Sequence, residues 1–190
     1  MAGKVIIISA PSGCGKSTII NALMSAGDID MQFSVSATNR APRGAEQNGV
    51  DYYFLSTEAF QKAIADDAFL EYEEVYPGRF YGTLKSELER IAAAGSNTVL
   101  DIDVNGGLRV KKLLGERALS IFIAPPSIES LRARLEGRGT DSAESIADRV
   151  ERARYELEQA PHYDAKVVND DLAVAVEQTR VLISEFLNAD

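Results

Sequence analysis

Short runs of apolar residues alternate along the chain with segments in which apolar residues recur every three or four positions. The four runs are rich in β-branched residues, as is typical of strands buried on both faces. Strands that alternate with helices predict an α/β fold with a parallel central sheet. The runs occupy positions 5–9, 98–102, 120–123 and 166–168, and the helical spacing is carried by Leu84, Leu88 and Ile91, by Ile146, Val150, Ala153 and Leu157, and by the segment 172–187.

Two regions interrupt this alternation. Residues from about 33 to 81 contain turn signals such as Asn48-Gly49 and a short aromatic strand at 51–54, which together predict an inserted lobe of mixed α and β structure. The arginine-rich segment 132–154 is interpreted as a helical lid that Gly137 and Gly139 allow to move. We expect one domain, with its core at about 1–33, 84–126 and 158–190, the lobe at about 34–83 and the lid at about 127–157.

The composition is that of a folded globular protein, because 45% of the 190 residues are hydrophobic and 26% are charged. The net charge of -9 argues against nucleic acid and anionic membranes as partners, since both favour basic surfaces. The charge is uneven, however: residues 1–50 carry four Lys/Arg and three Asp/Glu, whereas the other 140 carry 16 and 26. Small anionic ligands therefore remain compatible with the sequence.

Cellular location is predicted from two features. Cys14 is the only cysteine, so no disulfide can form within the chain, which suits a reducing compartment. The apolar run at 5–8 is too short for the core of a signal peptide, and no run approaches the roughly 20 residues of a membrane span. We expect a cytoplasmic protein, either a monomer or a small homo-oligomer.

The segment Ala10-Pro-Ser-Gly-Cys-Gly-Lys-Ser17 connects the first strand to the first helix. A glycine-rich turn in that context predicts a P-loop, in which main-chain N–H groups and the helix N-terminus surround phosphate oxygens. Lys16 is expected to bridge the β- and γ-phosphates, and the Ser17 hydroxyl is expected to contact Mg²⁺. The alternative is an ordinary turn that contains Gly-Lys-Ser by chance.

Two residues of this loop raise questions that the sequence leaves open. The P-loop pattern has glycine at the position of Ala10, where alanine would strain the loop if φ is positive and would be harmless if only a small side chain is required. The helix N-terminus could lower the pKa of Cys14, although we regard this residue mainly as a small filler, with sensitivity to oxidation as a secondary hypothesis.

Asp101 and Asp103 end the second apolar run. Ligands of α/β folds bind at the carboxyl ends of parallel strands, so Asp101 is a candidate for a second Mg²⁺ contact, through water. The alternative is that these aspartates cap the helix that follows.

The inserted lobe carries a second set of groups suited to an anion. Arg40 and Arg43 flank a proline turn and could converge on one phosphate, for which arginine is well suited. Tyr52 and Tyr81 add hydroxyl donors, although either tyrosine taken alone could be a core residue with a solvated tip.

The segments that carry these residues resemble the guanylate kinase family in sequence and in order. The combination of SVSxTxRxPR with NGxDYxF is specific to that family and its descendants, and the resemblance covers about residues 5–172. It implies a P-loop NTPase three-layer fold with a GMP-binding lobe and a helical lid. It also implies Mg²⁺-dependent phosphoryl transfer from ATP to GMP, and to dGMP, in purine nucleotide metabolism. The segments are APSGCGKST, SVSATNRAPR, NGVDYYF, FLEYEE, YGT, LDID, RLEGRGTD and NDDL.

The resemblance further implies a role for each matching residue. ATP would be bound by Ala10, Pro11, Ser12, Gly13, Cys14, Gly15, Lys16, Ser17 and Thr18, by Asn169 near the adenine, and by Arg134, Arg138 and Arg149 from the lid. The phosphate of GMP would be held by Arg40, Arg43, Tyr52 and Tyr81, and guanine would be read by Ser36, Glu71, Thr83 and Asp103. The implied catalytic residues are Lys16, Arg40, Arg134, Arg138 and Arg149. Tyr72 and Asn105 depart from the family pattern.

The chemistry of guanine agrees with this assignment. Guanine presents two adjacent donors, N1–H and N2–H₂, and an ionised Glu71 can accept both. The alternative is that Glu71 is a solvated charge, as we expect for Glu73 and Glu74. The phosphate of GMP is mostly ionised at neutral pH, so no general base is needed. Exclusion of water from the reaction predicts closure of lobe and lid over the substrates.

Two other functions remain open. One is a guanylate-kinase-like protein-binding module without catalysis, which the presence of Lys16, Ser17 and Asp101 disfavours. The other is a related kinase with a phosphosugar acceptor, which would not need Glu71 and Ser36 together.

Overall fold

The computed structural model of the protein describes residues 3–137, 139 and 142–189. These residues form nine strands and seven helices, with 3₁₀ turns at Gly115–Arg117 and Ala160–His162. The strands are β1 (Val5–Ser9), β2 (Met31–Phe33), β3 (Ala37–Thr38), β4 (Tyr53–Phe54), β5 (Phe69–Tyr76), β6 (Arg79–Leu84), β7 (Asn97–Asp101), β8 (Ala118–Ala124) and β9 (Ala165–Val168). The helices are α1 (Lys16–Ala26), α2 (Thr57–Ala65), α3 (Lys85–Ala93), α4 (Val104–Leu114), α5 (Ile128–Gly137), α6 (Ala143–Glu158) and α7 (Leu172–Asn188).

The central sheet has five strands in the order β2-β7-β1-β8-β9. Strands β2 and β7 pair in parallel with Met31 opposite Asn97, and β8 and β9 pair in parallel with Ile121 opposite Ala165. Every residue of β1 is buried, which explains its continuous apolar sequence. The predicted α/β fold with a parallel central sheet is therefore confirmed.

The sequence pattern located most of this sheet. The four predicted strands correspond to β1, β7, β8 and β9, and the three predicted helices correspond to α3, α6 and α7. Strand β2 was not predicted, because a run of three residues with one buried position carries no recognisable periodicity.

The chain forms two compact units, of which the first contains Met31–Leu100 together with the N-terminal segment through Val5. A second sheet, of order β4-β3-β6-β5, lies in this unit, and in it β5 and β6 are antiparallel. The core of this sheet is aromatic: Phe60 of α2 stacks on Phe69 of β5 with ring centroids 4.5 Å apart. The mixed α and β character predicted for the inserted region agrees with this sheet, while the predicted boundaries of core, lobe and lid stay a prediction.

The second unit contains Ile6–Asp30 and the residues from Asp101 onward. In one of its core clusters Phe122 of β8 meets Tyr163 edge to face, with centroids 5.3 Å apart. Side-chain caps start several of its helices; for example, Ser142 accepts the N–H of Ser145 at α6 and Asp171 accepts an N–H of α7. None of the described helices is both long and apolar enough to cross a membrane.

Candidate functional site

The loop between β1 and α1 has the backbone that a P-loop requires. Gly13 and Gly15 adopt φ values of 93° and 85°, in the region where a side chain is strained. Space is also restricted there, because a Cβ atom on Gly13 would lie 2.8 Å from Cδ2 of Leu135, and one on Gly15 would collide with the side chain of Asn169. Both glycines are therefore needed for conformation and for packing.

Ala10 does not strain this loop. Among the described residues only Asp67 combines a positive φ with a side chain, so Ala10 occupies ordinary backbone space. Ala10 is buried, with 8% of its surface exposed. The loop therefore accommodates alanine at this position without backbone strain, which answers the first question that the sequence left open.

Lys16 is held at the end of β7. Its ammonium group forms an ion pair with Asp101 and donates to the main-chain oxygen of Ile102 at 3.3 Å. Ser17 follows in the first turn of α1, where it is exposed. The structure thus brings Lys16 and Asp101 together.

The donors here suit a hard cation that is shared with phosphate groups. A hydroxyl at Ser17 and a carboxylate at Asp101 are oxygen ligands, which Mg²⁺ prefers, and Mg²⁺ completes its shell with water and substrate phosphates. The described part of the chain holds no group of three or more His, Cys, Asp or Glu residues that could bind a metal by themselves. The Ser17 hydroxyl and the Asp101 carboxylate fit Mg²⁺ by the chemistry of their oxygen ligands.

Cys14 points into the protein and is 1% exposed. Burial raises the pKa of its thiol to about 12, although the positive charges of Arg134 and Lys16 act in the opposite direction. The suggestion that the helix N-terminus activates this thiol is therefore wrong, because loss of solvation outweighs the nearby positive charge. Its interpretation as a small filler agrees with its burial.

Asn169 joins the P-loop to α5. Its side-chain Nδ2 donates to the main-chain oxygen of Cys14 at 2.7 Å, and both groups are buried. Its main-chain oxygen accepts from Nη2 of Arg134 at 2.8 Å. The side chain of Asn169 therefore contacts the main chain of the P-loop. The prediction that Asn169 lies near the adenine of ATP stays a prediction.

The lid arginines are described in part. Nη1 of Arg149 donates to the hydroxyl of Ser12 in the P-loop at 3.4 Å, and Arg134 lies beside Asn169 as described above. Arg138 lies outside the described residues. Two of the three predicted arginines thus belong to the surroundings of the P-loop.

Asp103 caps a helix. Its Oδ1 accepts the main-chain N–H groups of Asn105 at 2.9 Å and Gly106 at 3.1 Å, two of the donors in the first turn of α4 that have no partner within the helix. The alternative interpretation of the two aspartates as cap residues thus describes Asp103, whereas Asp101 pairs with Lys16. Asp103 belongs to the same unit as the P-loop, and its predicted role in reading guanine stays a prediction.

A second cluster, in the first unit, is centred on Arg40. Its guanidinium forks onto Glu46, with Nη1 donating to Oε2 at 2.6 Å and Nη2 donating to Oε1 at 2.7 Å. Its Nε donates to the hydroxyl of Tyr81 at 3.2 Å, and its Cζ lies 4.9 Å from the ring centroid of Tyr52. Tyr52 and Tyr81 meet edge to face at 5.9 Å, so three of the four predicted phosphate ligands form one group.

The fourth predicted ligand, Arg43, is linked to the group through Glu46, whose Oε2 accepts the main-chain N–H of Arg43 at 2.7 Å. Glu46 was not recognised in the sequence. A carboxylate six residues after Arg40 was the available signal, but the turn residues between Arg40 and Glu46 hid the ion pair. The hydrogen bond with Arg40 lowers the pKa of Glu46 to about 2, so this carboxylate is charged at neutral pH.

Glu71 and Thr83 face each other across β5 and β6. The Thr83 hydroxyl donates to Oε1 of Glu71 at 2.8 Å, and Glu71 is 7% exposed. The alternative that Glu71 is a solvated charge is therefore wrong. Ser36 is half-buried in the segment that enters β3 of the same unit.

The family model and the curated relatives that match this chain name one family. The family model described as "Guanylate kinase" matches residues 2–186 of the chain. The chain belongs to the guanylate kinase family. The guanylate kinase of Bacteroides fragilis is 56% identical over 187 residues, which cover 98% of this chain and 91% of that relative. The guanylate kinase of Porphyromonas gingivalis is 55% identical over 184 residues, which cover 97% and 98%.

A solved structure supports the same relationship. The crystal structure of guanylate kinase from Anaplasma phagocytophilum matches with a TM-score of 0.77 and 31% sequence identity, and the match covers 99% of this chain and 88% of that chain. The resemblance to the guanylate kinase family that the motifs carry is therefore confirmed, as is the P-loop NTPase fold that it implied.

Proposed function

We propose that the chain transfers the γ-phosphoryl group of ATP to GMP, and also to dGMP, giving ADP and GDP or dGDP. The observation that carries the proposal is that a P-loop with Lys16 and Asp101 in contact occurs in one chain with a buried carboxylate, Glu71, suited to guanine. Membership of the guanylate kinase family supports the same activity.

The proposal assigns the ATP phosphates to the P-loop. Main-chain N–H groups of residues 13–17 and the N-terminus of α1 would bind phosphate oxygens, and Lys16 would exchange part of its contact with Asp101 for them. Arg134 and Arg149 would add positive charge from the lid. Mg²⁺, which Ser17 would hold directly and Asp101 through water, would neutralise charge on the donor phosphates.

The proposal assigns the phosphate of GMP to the Arg40 cluster. Arg40 is already oriented by Glu46 and by the rings of Tyr52 and Phe54, so little side-chain freedom remains to be lost on binding. Tyr52 and Tyr81 would donate their hydroxyl groups to the same phosphate. Arg43 would complete the group from the other side of the turn.

Guanine would be read by Glu71, with Ser36, Thr83 and Asp103. The Thr83 hydroxyl donates to Oε1 of Glu71, and in this proposal the ionised carboxylate would accept N1–H and N2–H₂ of guanine. Adenine lacks both of these donors and would leave the buried carboxylate without the bonds that offset its desolvation.

The transfer itself needs no general base. The acceptor is a phosphate oxygen that is already ionised near neutral pH. Catalysis then depends on holding donor and acceptor phosphates in line and on neutralising the charge of the transferring group by Lys16 and the arginines. We assign the activity to the cytoplasm, without nucleic acid or membrane as a partner.

The experiment is a coupled assay of ADP release with a panel of nucleoside monophosphates and phosphosugars. Turnover of GMP and dGMP, with AMP, CMP, UMP and the sugars inactive, is the expected result. Well-folded protein that turns over none of them would favour the binding module, and turnover of a phosphosugar alone would favour the other kinase.

The guanine assignment is tested by Glu71→Gln. We expect kcat/KM for GMP to fall by about tenfold to hundredfold, because a hydrogen bond to a buried charged acceptor is replaced by a clash of donors. The matched control is Glu74→Gln, which changes an exposed carboxylate of the same strand. Equal kinetics for GMP in the Glu71→Gln and Glu74→Gln proteins would refute the assignment.

A further inference from the structure

A buried carboxylate at the start of α3 lies outside the residues assigned above. Glu87 is 2% exposed and lies in the first turn of α3, four residues after Thr83. Its Oε1 accepts from the hydroxyl of Tyr53 and from Nε of Arg90, each at 2.9 Å. Its Oε2 accepts from the main-chain N–H of Val35 and from Nη2 of Arg90, each at 3.0 Å.

These four bonds use the full capacity of the carboxylate, which has about four lone-pair directions. Burial raises the pKa of Glu87, but hydrogen bonds from Arg90, the N–H of Val35 and Tyr53 outweigh burial and leave the pKa below its usual value. Glu87 is therefore a charged acceptor at neutral pH, and Arg90, whose side chain is half exposed, supplies the balancing charge. A saturated group of this kind holds other residues in place and has no site left for a ligand.

The residues held by Glu87 surround Ser36. Three consecutive residues each form a hydrogen bond through their main chain. The N–H of Ser34 donates to a main-chain oxygen of β7 at 3.0 Å, and the N–H of Val35 donates to Glu87. The main-chain oxygen of Ser36 accepts from the N–H of Tyr53 at 2.9 Å. Tyr53 and Glu87 are themselves bonded through the phenol hydroxyl. The main chain of this segment is thus fixed on both sides of Ser36.

The Ser36 side chain is left available by this arrangement. Within the described part of the chain, no group forms a hydrogen bond with its hydroxyl. Helix α3 also continues directly from β6, which carries Tyr81 and Thr83, so Glu87 connects Ser36 to a strand that bears two of the other proposed GMP ligands.

We propose that Glu87 is a positioning residue for guanine recognition, which together with Tyr53 fixes the main chain around Ser36 so that its hydroxyl meets the base in one orientation. The proposal rests on the proposed function, since Ser36 reads guanine only if GMP is a substrate. Glu87 acts through Ser36 and touches no reacting atom.

The test compares Glu87→Gln and Tyr53→Phe with the wild-type protein in steady-state kinetics, varying GMP and ATP separately. Glutamine has the same shape but replaces one acceptor oxygen with an NH₂ group, which cannot accept from Val35, Tyr53 or Arg90. We expect KM for GMP to rise about tenfold in Glu87→Gln and about threefold in Tyr53→Phe, with kcat and KM for ATP within about twofold.

The control is Asp164→Asn in the second unit. Asp164 is a structural carboxylate that is more exposed than Glu87; it accepts from the N–H and the hydroxyl of Ser120 at 2.8 Å and forms an ion pair with Lys111 at 2.8 Å. We expect this variant to lower the melting temperature and to leave KM for GMP unchanged. An equal rise of KM for GMP in Asp164→Asn and Glu87→Gln would mean general loosening of the fold and would overturn the proposal.

The remaining outcomes are also decisive. A folded Glu87→Gln protein with wild-type KM for GMP overturns the proposal. If Glu87→Gln does not fold, an unchanged KM for GMP in the Tyr53→Phe protein overturns it instead. A wild-type protein that turns over GMP while both variants match it overturns the positioning role alone. A wild-type protein that does not turn over GMP overturns the proposed function and the positioning role with it.

Discussion

Replacement of Asn169 by alanine tests whether this side chain supports the P-loop or only contacts the nucleotide. The side chain is buried, with Asn169 5% exposed, and its Nδ2 donates to the main-chain oxygen of Cys14 at 2.7 Å. Alanine removes this donor and leaves the carbonyl oxygen buried without it. The bond from Arg134 is made to the main chain of Asn169 and can persist in the variant.

The magnitude follows from the burial of the bond. An unsatisfied buried acceptor costs about 1–3 kcal/mol, so we expect a loss of about 2 kcal/mol in the free energy of unfolding. For a chain of this length that loss corresponds to a decrease of about 4–8 °C in Tm. Because Cys14 lies within the P-loop, we also expect KM for ATP to rise several-fold while KM for GMP stays unchanged.

The assay combines urea unfolding with steady-state kinetics for both substrates. Asn21→Ala is the control, since Asn21 is exposed on α1, the helix that the P-loop opens, and alanine is a better helix former there. The control should match or slightly exceed the stability of the wild-type protein. An Asn169→Ala protein with wild-type stability and wild-type KM for ATP would refute the argument that this side chain supports the loop.

Two further predictions concern titrating groups. The pKa of Cys14 is raised from 9.0 to about 12, which lowers the thiolate fraction about a thousandfold. Iodoacetamide at pH 8 should therefore modify Cys14 far more slowly in the folded protein than in the urea-unfolded chain. Similar rates of modification in the two states would contradict the burial of this thiol. The pKa of Glu46 is lowered from 4.5 to about 2, so its ion pair with Arg40 stabilises the fold above pH 4.5 and the stabilisation is lost as the pH falls toward 2. In calorimetry, the difference in Tm between wild-type and Glu46→Gln proteins should therefore be largest above pH 5 and should shrink toward pH 3. A difference that stays constant with pH would show that the charge of Glu46 contributes nothing to the stability of the fold.

The amino-acid sequence alone determined the parts of this protein that depend on neighbouring residues in the chain. The buried strands were recognisable because a strand covered on both faces must be apolar throughout, and the helices because one face must be apolar every three or four residues. The P-loop was recognisable for a related reason, since its glycines, lysine and serine lie within a few consecutive positions between a strand and a helix.

The sequence also located Arg40, Tyr52, Tyr81 and Glu71 as candidates, through motifs of the guanylate kinase family. The positions of Glu71 and Tyr81 follow from the register of β5 and β6, which sets Glu71 opposite Thr83 and Glu73 opposite Tyr81. Register of this kind depends on the turn and on the pairing strand, so the motifs named the residues without their contacts.

Only the tertiary structure decided how these residues are held. The bond between Asn169 and Cys14 joins positions 155 residues apart, and the bond between Glu87 and Val35 joins positions 52 residues apart. No local pattern encodes such pairs, because they form only when folding brings distant segments together. The protonation of Cys14 was decided in the same way: its place beside a helix N-terminus suggested a low pKa, and the burial that raises the pKa depends on the side chains that the fold packs around it.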